Sequence, residues 1–138
     1  MSRIIAIDYG LKRTGLAVTD PFKIIATGLT TIDSKLLIPF LKNYFLMEPV
    51  ELIIIGEPKN LDDSATHATP LVARCIKELV NNFPAIPVIK VDERYTSKMA
   101  VQSMVQSGMK KKDRRNKALV DEIAATILLQ EYLQHTAI

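Results

Sequence analysis

Arg3-Ile4-Ile5-Ala6-Ile7-Asp8-Tyr9-Gly10-Leu11-Lys12-Arg13-Thr14-Gly15-Leu16-Ala17-Val18-Thr19-Asp20-Pro21 is the stretch on which the fold of this 138-residue chain turns. Arg3 to Asp8 is nearly all apolar and alternates poorly, the pattern of a strand buried on both faces. Tyr9-Gly10 breaks it, Gly15 to Thr19 reads as a second strand, and Asp20-Pro21 signals a turn. Lys23 to Thr31, rich in Ile, Thr and Leu, predicts a third strand. Connections this short predict an antiparallel meander rather than crossover units.

Helical spacing follows. Asp33-Ser34 offers an N-cap ahead of Leu37, Phe40, Leu41, Tyr44 and Phe45, with Pro39 in the first turns, where proline is tolerated. Glu51 to Ile55 predicts a fourth strand, ended by Gly56-Glu57-Pro58, and the polar stretch from Lys59 to Thr69 a loop. Leu71, Val72, Cys75, Ile76, Leu79 and Val80 form a second helical stripe, Pro87 to Val91 a fifth strand, and Ser97 to Gln106 a helix stopped by Gly108. Ala118 to Leu133 predicts a long last helix with Ile123, Ile127 and Leu128 inward. A meander continued by strand–helix–strand crossovers implies an α/β fold with a mixed five-stranded sheet flanked by helices. With neither a repeat nor a linker, residues 1–138 are expected to form a single domain.

Composition narrows the class. The apolar runs are far shorter than the roughly 20 residues of a membrane span, and Asp8 interrupts the start before a secretory apolar region forms, so a cytoplasmic protein without membrane contact is expected. One cysteine, Cys75, cannot make an internal disulfide and reads as a small core residue. The net charge of +3 is modest, but Lys110-Lys111-Lys112-Asp113-Arg114-Arg115 puts five positive charges in six positions. Such a block is either a solvated segment or a phosphate-contacting loop.

Asp8 ends a strand that otherwise reads as core, where a carboxylate is costly unless paired or metal-bound. Ligands of α/β sheets gather at strand C-termini, and the glycines that follow, Gly10 and Gly15, let backbone approach a ligand closely. Lys12 and Arg13 add cations suited to phosphate. The plainer alternative is an Asp that opens a turn. Asp92-Glu93-Arg94 follows the fifth strand, and Asp121 lies in the first turns of the last helix, one turn after Lys117. Converging carboxylates suit hard cations such as Mg²⁺ or Mn²⁺, and two such ions about 4 Å apart activate water and stabilise the leaving oxygen of a phosphodiester. His67 and His135 are isolated, and no C-x-x-C, H-E-x-x-H or G-x-S-x-G pattern occurs.

Asp8 to Asp20 resembles the D-x-G-x-K-R-x-G-x-A-x-x-D opening of the YqgF family, proteins described as pre-16S rRNA nucleases or Holliday junction resolvase-like. Asp92-Glu93-Arg94-Tyr95-Thr96-Ser97 is similar to that family's D-E-R-x-T-[ST] segment, and Lys117 to Ala125 to its K-x-x-x-D-x-x-A-A helix. Gly56, Pro58 and Asn60 resemble its G-x-P-x-x segment, and the matches run in order from residue 3 to about 133. The resemblance implies an RNase H-like fold with Asp8, Glu93 and Asp121 as catalytic metal ligands. Glu93 is preferred to Asp92, although neighbours on a strand face opposite sides and periodicity does not say which faces the metal. One departure stands out: Glu57 replaces the family's usual apolar residue, and in the related RuvC resolvases an acid after this strand is catalytic. Asp92 and Glu57 are therefore carried as additional acids. Asp20 reads as a turn former, Arg94 as a partner of an active-site acid or of substrate, and Lys117 as a cation beside Asp121. The Lys110, Lys111, Lys112, Arg114 and Arg115 run directly precedes the Asp121 helix and is expected to rim the same cleft.

The implied activity is a Mg²⁺- or Mn²⁺-dependent endonuclease acting on structured RNA, with a ribosomal RNA precursor as partner. A four-way DNA junction is the alternative substrate; cutting it symmetrically calls for a homodimer, where RNA cleavage allows a monomer. A phosphate-binding ATPase of the actin and sugar-kinase type would need two such domains. A ribosome- or transcription-associated binding protein without turnover would not need the acids.

Overall fold

The computed structural model describes residues 2–57, 69–92, 102 and 116–136. Strands β1 (Arg3–Tyr9), β2 (Arg13–Thr19) and β3 (Ala26–Asp33) come first, then a 3₁₀ turn (Ser34–Leu36) running into helix α1 (Leu37–Met47). Strand β4 (Val50–Glu57), helix α2 (Thr69–Asn82), strand β5 (Val88–Asp92) and helix α3 (Lys117–Thr136) follow. The five strands form one sheet in the order β3-β2-β1-β4-β5. β1 pairs antiparallel with β2 and parallel with β4, so the meander and the crossover half meet on it. The mixed five-stranded α/β sheet expected from the sequence is the one observed.

β1 is central and buried on both sides, which is why it alternates so little. Ile5 and Ile7 join Leu16, Val18, Ile53 and Ile55 against Leu37, Leu41, Val72, Cys75 and Leu79, under α1 and α2. Ile4 and Ala6 join Ala17, Ala26 and Ile54 against Ala125, Leu128 and Leu129 of α3. Alternation then puts Asp8 on the α3 side, after Ile4 and Ala6. Cys75 is a buried core residue, as its surroundings in the sequence implied.

Several boundaries differ from expectation for physical reasons. The third strand starts at Ala26 rather than Lys23, because Asp20 takes the preceding amides. Its carboxylate accepts hydrogen bonds from the backbone of Phe22, Ile24 and Ile25 at 3.1, 2.7 and 2.7 Å, and Lys23 has φ 62°. Asp20 is thus the turn former it was read to be. Asp33-Ser34 does not cap α1; Asp33 makes no side-chain cap hydrogen bond, and a 3₁₀ turn intervenes. The inward face of α3 is Ala124, Ala125, Leu128 and Leu129, while Ile123 and Ile127 are half-buried. Small side chains let this helix sit directly on the sheet. The Lys59 to Ala68 part of the predicted loop, and the predicted helix Ser97 to Gln106 apart from Gln102, lie outside the described residues. Among the described residues no helix is long and apolar enough to cross a membrane.

Candidate active site

Asp8 stands opposite Gly15 in the β1–β2 register. With no side chain at Gly15, α3 comes down onto β2 so closely that a β-carbon there would overlap the Asp121 carbonyl and lie 3.0 Å from the Glu122 nitrogen. The close approach that this glycine permits is therefore to a helix backbone, not to a ligand as its position in the sequence suggested. Two further ties fix the start of α3. Asn116 Oδ1 accepts hydrogen bonds from the Ala118 and Leu119 amides at 3.1 and 3.3 Å, an N-cap. Thr31 Oγ1 on β3 donates to the Ala118 carbonyl at 2.6 Å.

Asp121 and Asp8 are thereby brought to one cleft of about 350 Å³, lined among the described residues also by Gly10, Leu11, Lys12 and Arg13. Arg13 Nε donates to Asp121 Oδ2 at 3.1 Å. The side chains keep 39% and 27% of their exposure, so water reaches the pair and it supplies orientation more than stability. Both acids stay accessible from solvent.

The loop between β1 and β2 is held from below. The Gly10 amide donates to the Arg13 carbonyl at 3.0 Å, closing the turn, and the Ser34 amide donates to the Lys12 carbonyl at 3.0 Å. Ser34 Oγ donates to the Gly10 carbonyl at 2.5 Å. Its only hydroxyl proton is then used, so the 2.8 Å bond to Thr14 Oγ1 has threonine as donor. Thr14 and Ser34 are both buried. Ser34 was missed in the sequence, where it read as a helix cap; nothing local announces a hydrogen bond across 24 positions.

The remaining candidates are distributed differently. Glu57 follows Ile53 and Ile55, whose side chains belong to the α1–α2 face, and its Oε2 lies 3.6 Å from Lys90 Nζ. It is not among the residues lining the Asp8–Asp121 cleft. Asp92 occupies the register position opposite Glu57, and Lys117 begins α3, one turn before Asp121. Glu93, Arg94, Lys110, Lys111, Lys112, Arg114 and Arg115 lie outside the described residues. Among the described residues no group of three His, Cys, Asp or Glu side chains is placed to hold a metal ion. Two carboxylates in one cleft nonetheless fit Mg²⁺, which is usually held by one or two carboxylates together with substrate phosphate.

A family model described as RuvX, Holliday junction resolvase, matches residues 2–135. The chain belongs to the RuvX family. RuvX is also called YqgF, so the resemblance in the sequence holds. A protein of Christiangramia forsetii named "Putative pre-16S rRNA nuclease" is 56% identical over 96% of this chain and 98% of its own length. One of Bacteroides thetaiotaomicron with the same name is 52% identical over 97% of each. Among solved structures, Thermus thermophilus RuvC in complex with a Holliday junction substrate superposes with a TM-score of 0.60, covering 99% of this chain and 97% of RuvC. At 16% identity that likeness speaks for the fold alone, which is RNase H-like.

Proposed function

We propose that this RuvX protein is a divalent-cation-dependent endonuclease that hydrolyses phosphodiesters of structured RNA, with the precursor of 16S rRNA as substrate and the cytoplasm as its place of action. The observation that carries this reading is the joint placement of Asp8 and Asp121, from the first strand and the last helix, in one open cleft walled by Lys12 and Arg13. Relatives at 52–56% identity over nearly the whole chain carry the pre-16S rRNA nuclease name, which supports RNA as substrate.

Asp8 and Asp121 supply hard oxygen donors, and Glu93 is the third ligand of this proposal. Glu93 is kept over Asp92 on the resemblance to the family's D-E-R-x-T-[ST] segment. Bound there, Mg²⁺ or Mn²⁺ supplies charge stabilisation and an activated water. Arg13 orients Asp121, while Lys12 at the cleft mouth attracts the phosphodiester. Lys117, Arg94 and the Lys110 to Arg115 run belong to this proposal as further phosphate contacts, on their charge and their place in the sequence. Glu57, paired with Lys90, is assigned a structural ion pair instead of a ligand role.

The family description favours one second reading, a four-way DNA junction as substrate. Labelled pre-16S rRNA and a labelled four-way junction, each incubated with wild type and Asp8→Asn in Mg²⁺ or EDTA, test both. Cleavage of the RNA by wild type in Mg²⁺ alone is expected. Undiminished cleavage by Asp8→Asn would sink the mechanism, and cleavage of the junction alone would replace the substrate.

A further inference from the structure

The loop that walls the Asp8–Asp121 cleft also lines a second concavity. This cleft, of about 340 Å³, is lined by Leu11, Lys12, Asp33 and Lys35, so Leu11 and Lys12 belong to both. The two clefts are mechanically joined. Ser34 lies between Asp33 and Lys35, and its amide and hydroxyl hold the Lys12 and Gly10 carbonyls. The backbone bearing Lys35 is thus pinned to the backbone bearing Lys12, and their spacing does not depend on long flexible connections.

The lining has the chemistry of a nucleic-acid path. Lys12 and Lys35 are exposed, and among the described residues neither takes part in an ion pair. Among the described lining residues, two ammonium groups stand against the one carboxylate of Asp33, an excess of positive charge. Leu11, at the tip of the loop between the clefts, is 71% exposed. A large apolar side chain held out to water in a cleft with two cations is suited to pack against sugar or base, and the cations are suited to phosphates.

We infer that the Leu11–Lys12–Lys35 cleft is a second strand-binding subsite, which takes the phosphodiester backbone of the substrate strand beyond the scissile bond. Leu11 packs on the nucleoside that crosses the loop, Lys12 faces the cleavage side, and Lys35 contacts a flanking phosphate. The inference rests on the nuclease reading of the first cleft and adds to it a binding residue, Lys35, and an apolar contact, Leu11.

Binding of a fluorescein-labelled RNA hairpin with a single-stranded extension, followed by anisotropy in EDTA so that no strand is cut, tests it across a series of salt concentrations. Lys35→Ala is expected to weaken binding by roughly fivefold at low salt and to reduce the slope of log affinity against log salt by about one, as loss of one phosphate contact does. Leu11→Ala is expected to weaken binding with an unchanged slope, because no counterion is released at an apolar contact. Lys77→Ala, an exposed lysine on α2, serves as the reference. Lys35→Ala behaving like Lys77→Ala, while Lys12→Ala weakens binding, would overturn the subsite and leave the nuclease reading standing. Lys12→Ala also behaving like the reference would overturn the subsite together with the phosphate role of Lys12, whereas the nuclease reading stands or falls on cleavage by wild type and Asp8→Asn. Each substituted side chain is exposed, so folding is not at stake.

Discussion

Arg13 on β2 and Asp121 on α3 are joined by a 3.1 Å hydrogen bond from Nε to Oδ2, across 108 positions of the chain. The bond links the edge of the β1–β2 loop to one of the two described carboxylates that line the cleft. Because both groups are partly exposed, their coupling is worth about 0.2–1 kcal/mol. Its consequence is placement: Arg13 holds an Asp121 oxygen that a divalent cation would also use.

Arg13→Gln is therefore expected to lower cleavage by roughly tenfold, about the effect of one charge-assisted hydrogen bond, while shifting the thermal midpoint only a few degrees. A double-mutant cycle with Asp121→Asn, read from urea unfolding, should show coupling below about 1 kcal/mol in EDTA and less in saturating Mg²⁺. Coupling that persists unchanged in Mg²⁺ would mean that Arg13 does not yield its place to the ion.

Gly15 and Gly28 offer a matched pair. A β-carbon at Gly15 meets the backbone of Asp121, which cannot rotate away, whereas one at Gly28 meets only the side chain of Glu122, 2.5 Å from Oε1. Gly15→Ala is expected to destabilise the fold by about 1–3 kcal/mol, as overpacking does, and to disable the site by displacing Asp121. Gly28→Ala should cost less than about 1 kcal/mol. Equal midpoints for the two variants in urea would contradict the close packing of α3 on β2.

Three backbone amides on Asp20, those of Ile25, Ile24 and Phe22, hold its carboxyl below the usual carboxylate range. A depressed pKa in the folded state makes the charged turn favourable above the unfolded value, about 3.9, and removes that advantage as pH falls through the folded one. Protection of the Ile24 and Ile25 amides in hydrogen exchange, corrected for intrinsic rates, should drop in acid well before that of Ile5 or Ile54. In Asp20→Ala the same amides should be unprotected at every pH. Acid-insensitive protection in the wild type would argue against this turn.

Burial, with the negative charge of Glu78 in second place, pushes the Cys75 thiol up to about 12. Virtually no thiolate exists at pH 8, so native protein should react with a thiol reagent far more slowly than protein unfolded in urea. Rapid stoichiometric labelling without denaturant would place Cys75 outside the core.

Much of the fold was legible because β1 and its neighbours obey simple periodicities. An apolar run from Ile4 to Ile7 has to be a central strand, and the short connections after it leave a meander as the economical pairing. The third strand was misplaced by three residues because Ile24 and Ile25 look like strand residues. Their amides are spent on Asp20, and both side chains are exposed at the turn. The inward face of α3 was read correctly at Leu128 but not at Ile123 and Ile127, for a related reason: size favoured the isoleucines, while the sheet accepts Ala124 and Ala125 because it needs a close helix.

Asp8 and Asp121 are recognisable in the chain as acids at the ends of elements, since charge at a strand end or in a first helical turn stands out locally. Their meeting is not local. It requires Gly15 to admit α3, Thr31 and Asn116 to hold the start of that helix, and Ser34 to pin the loop that closes the cleft. Periodicity and composition set which segments are strands and helices, and which family they resemble, because those are properties of neighbours along the chain. Which acids share a cleft, that Glu57 pairs with Lys90, and that Gly15 faces a helix instead of a ligand depend on contacts between distant segments, and these exist only once the sheet has closed around β1.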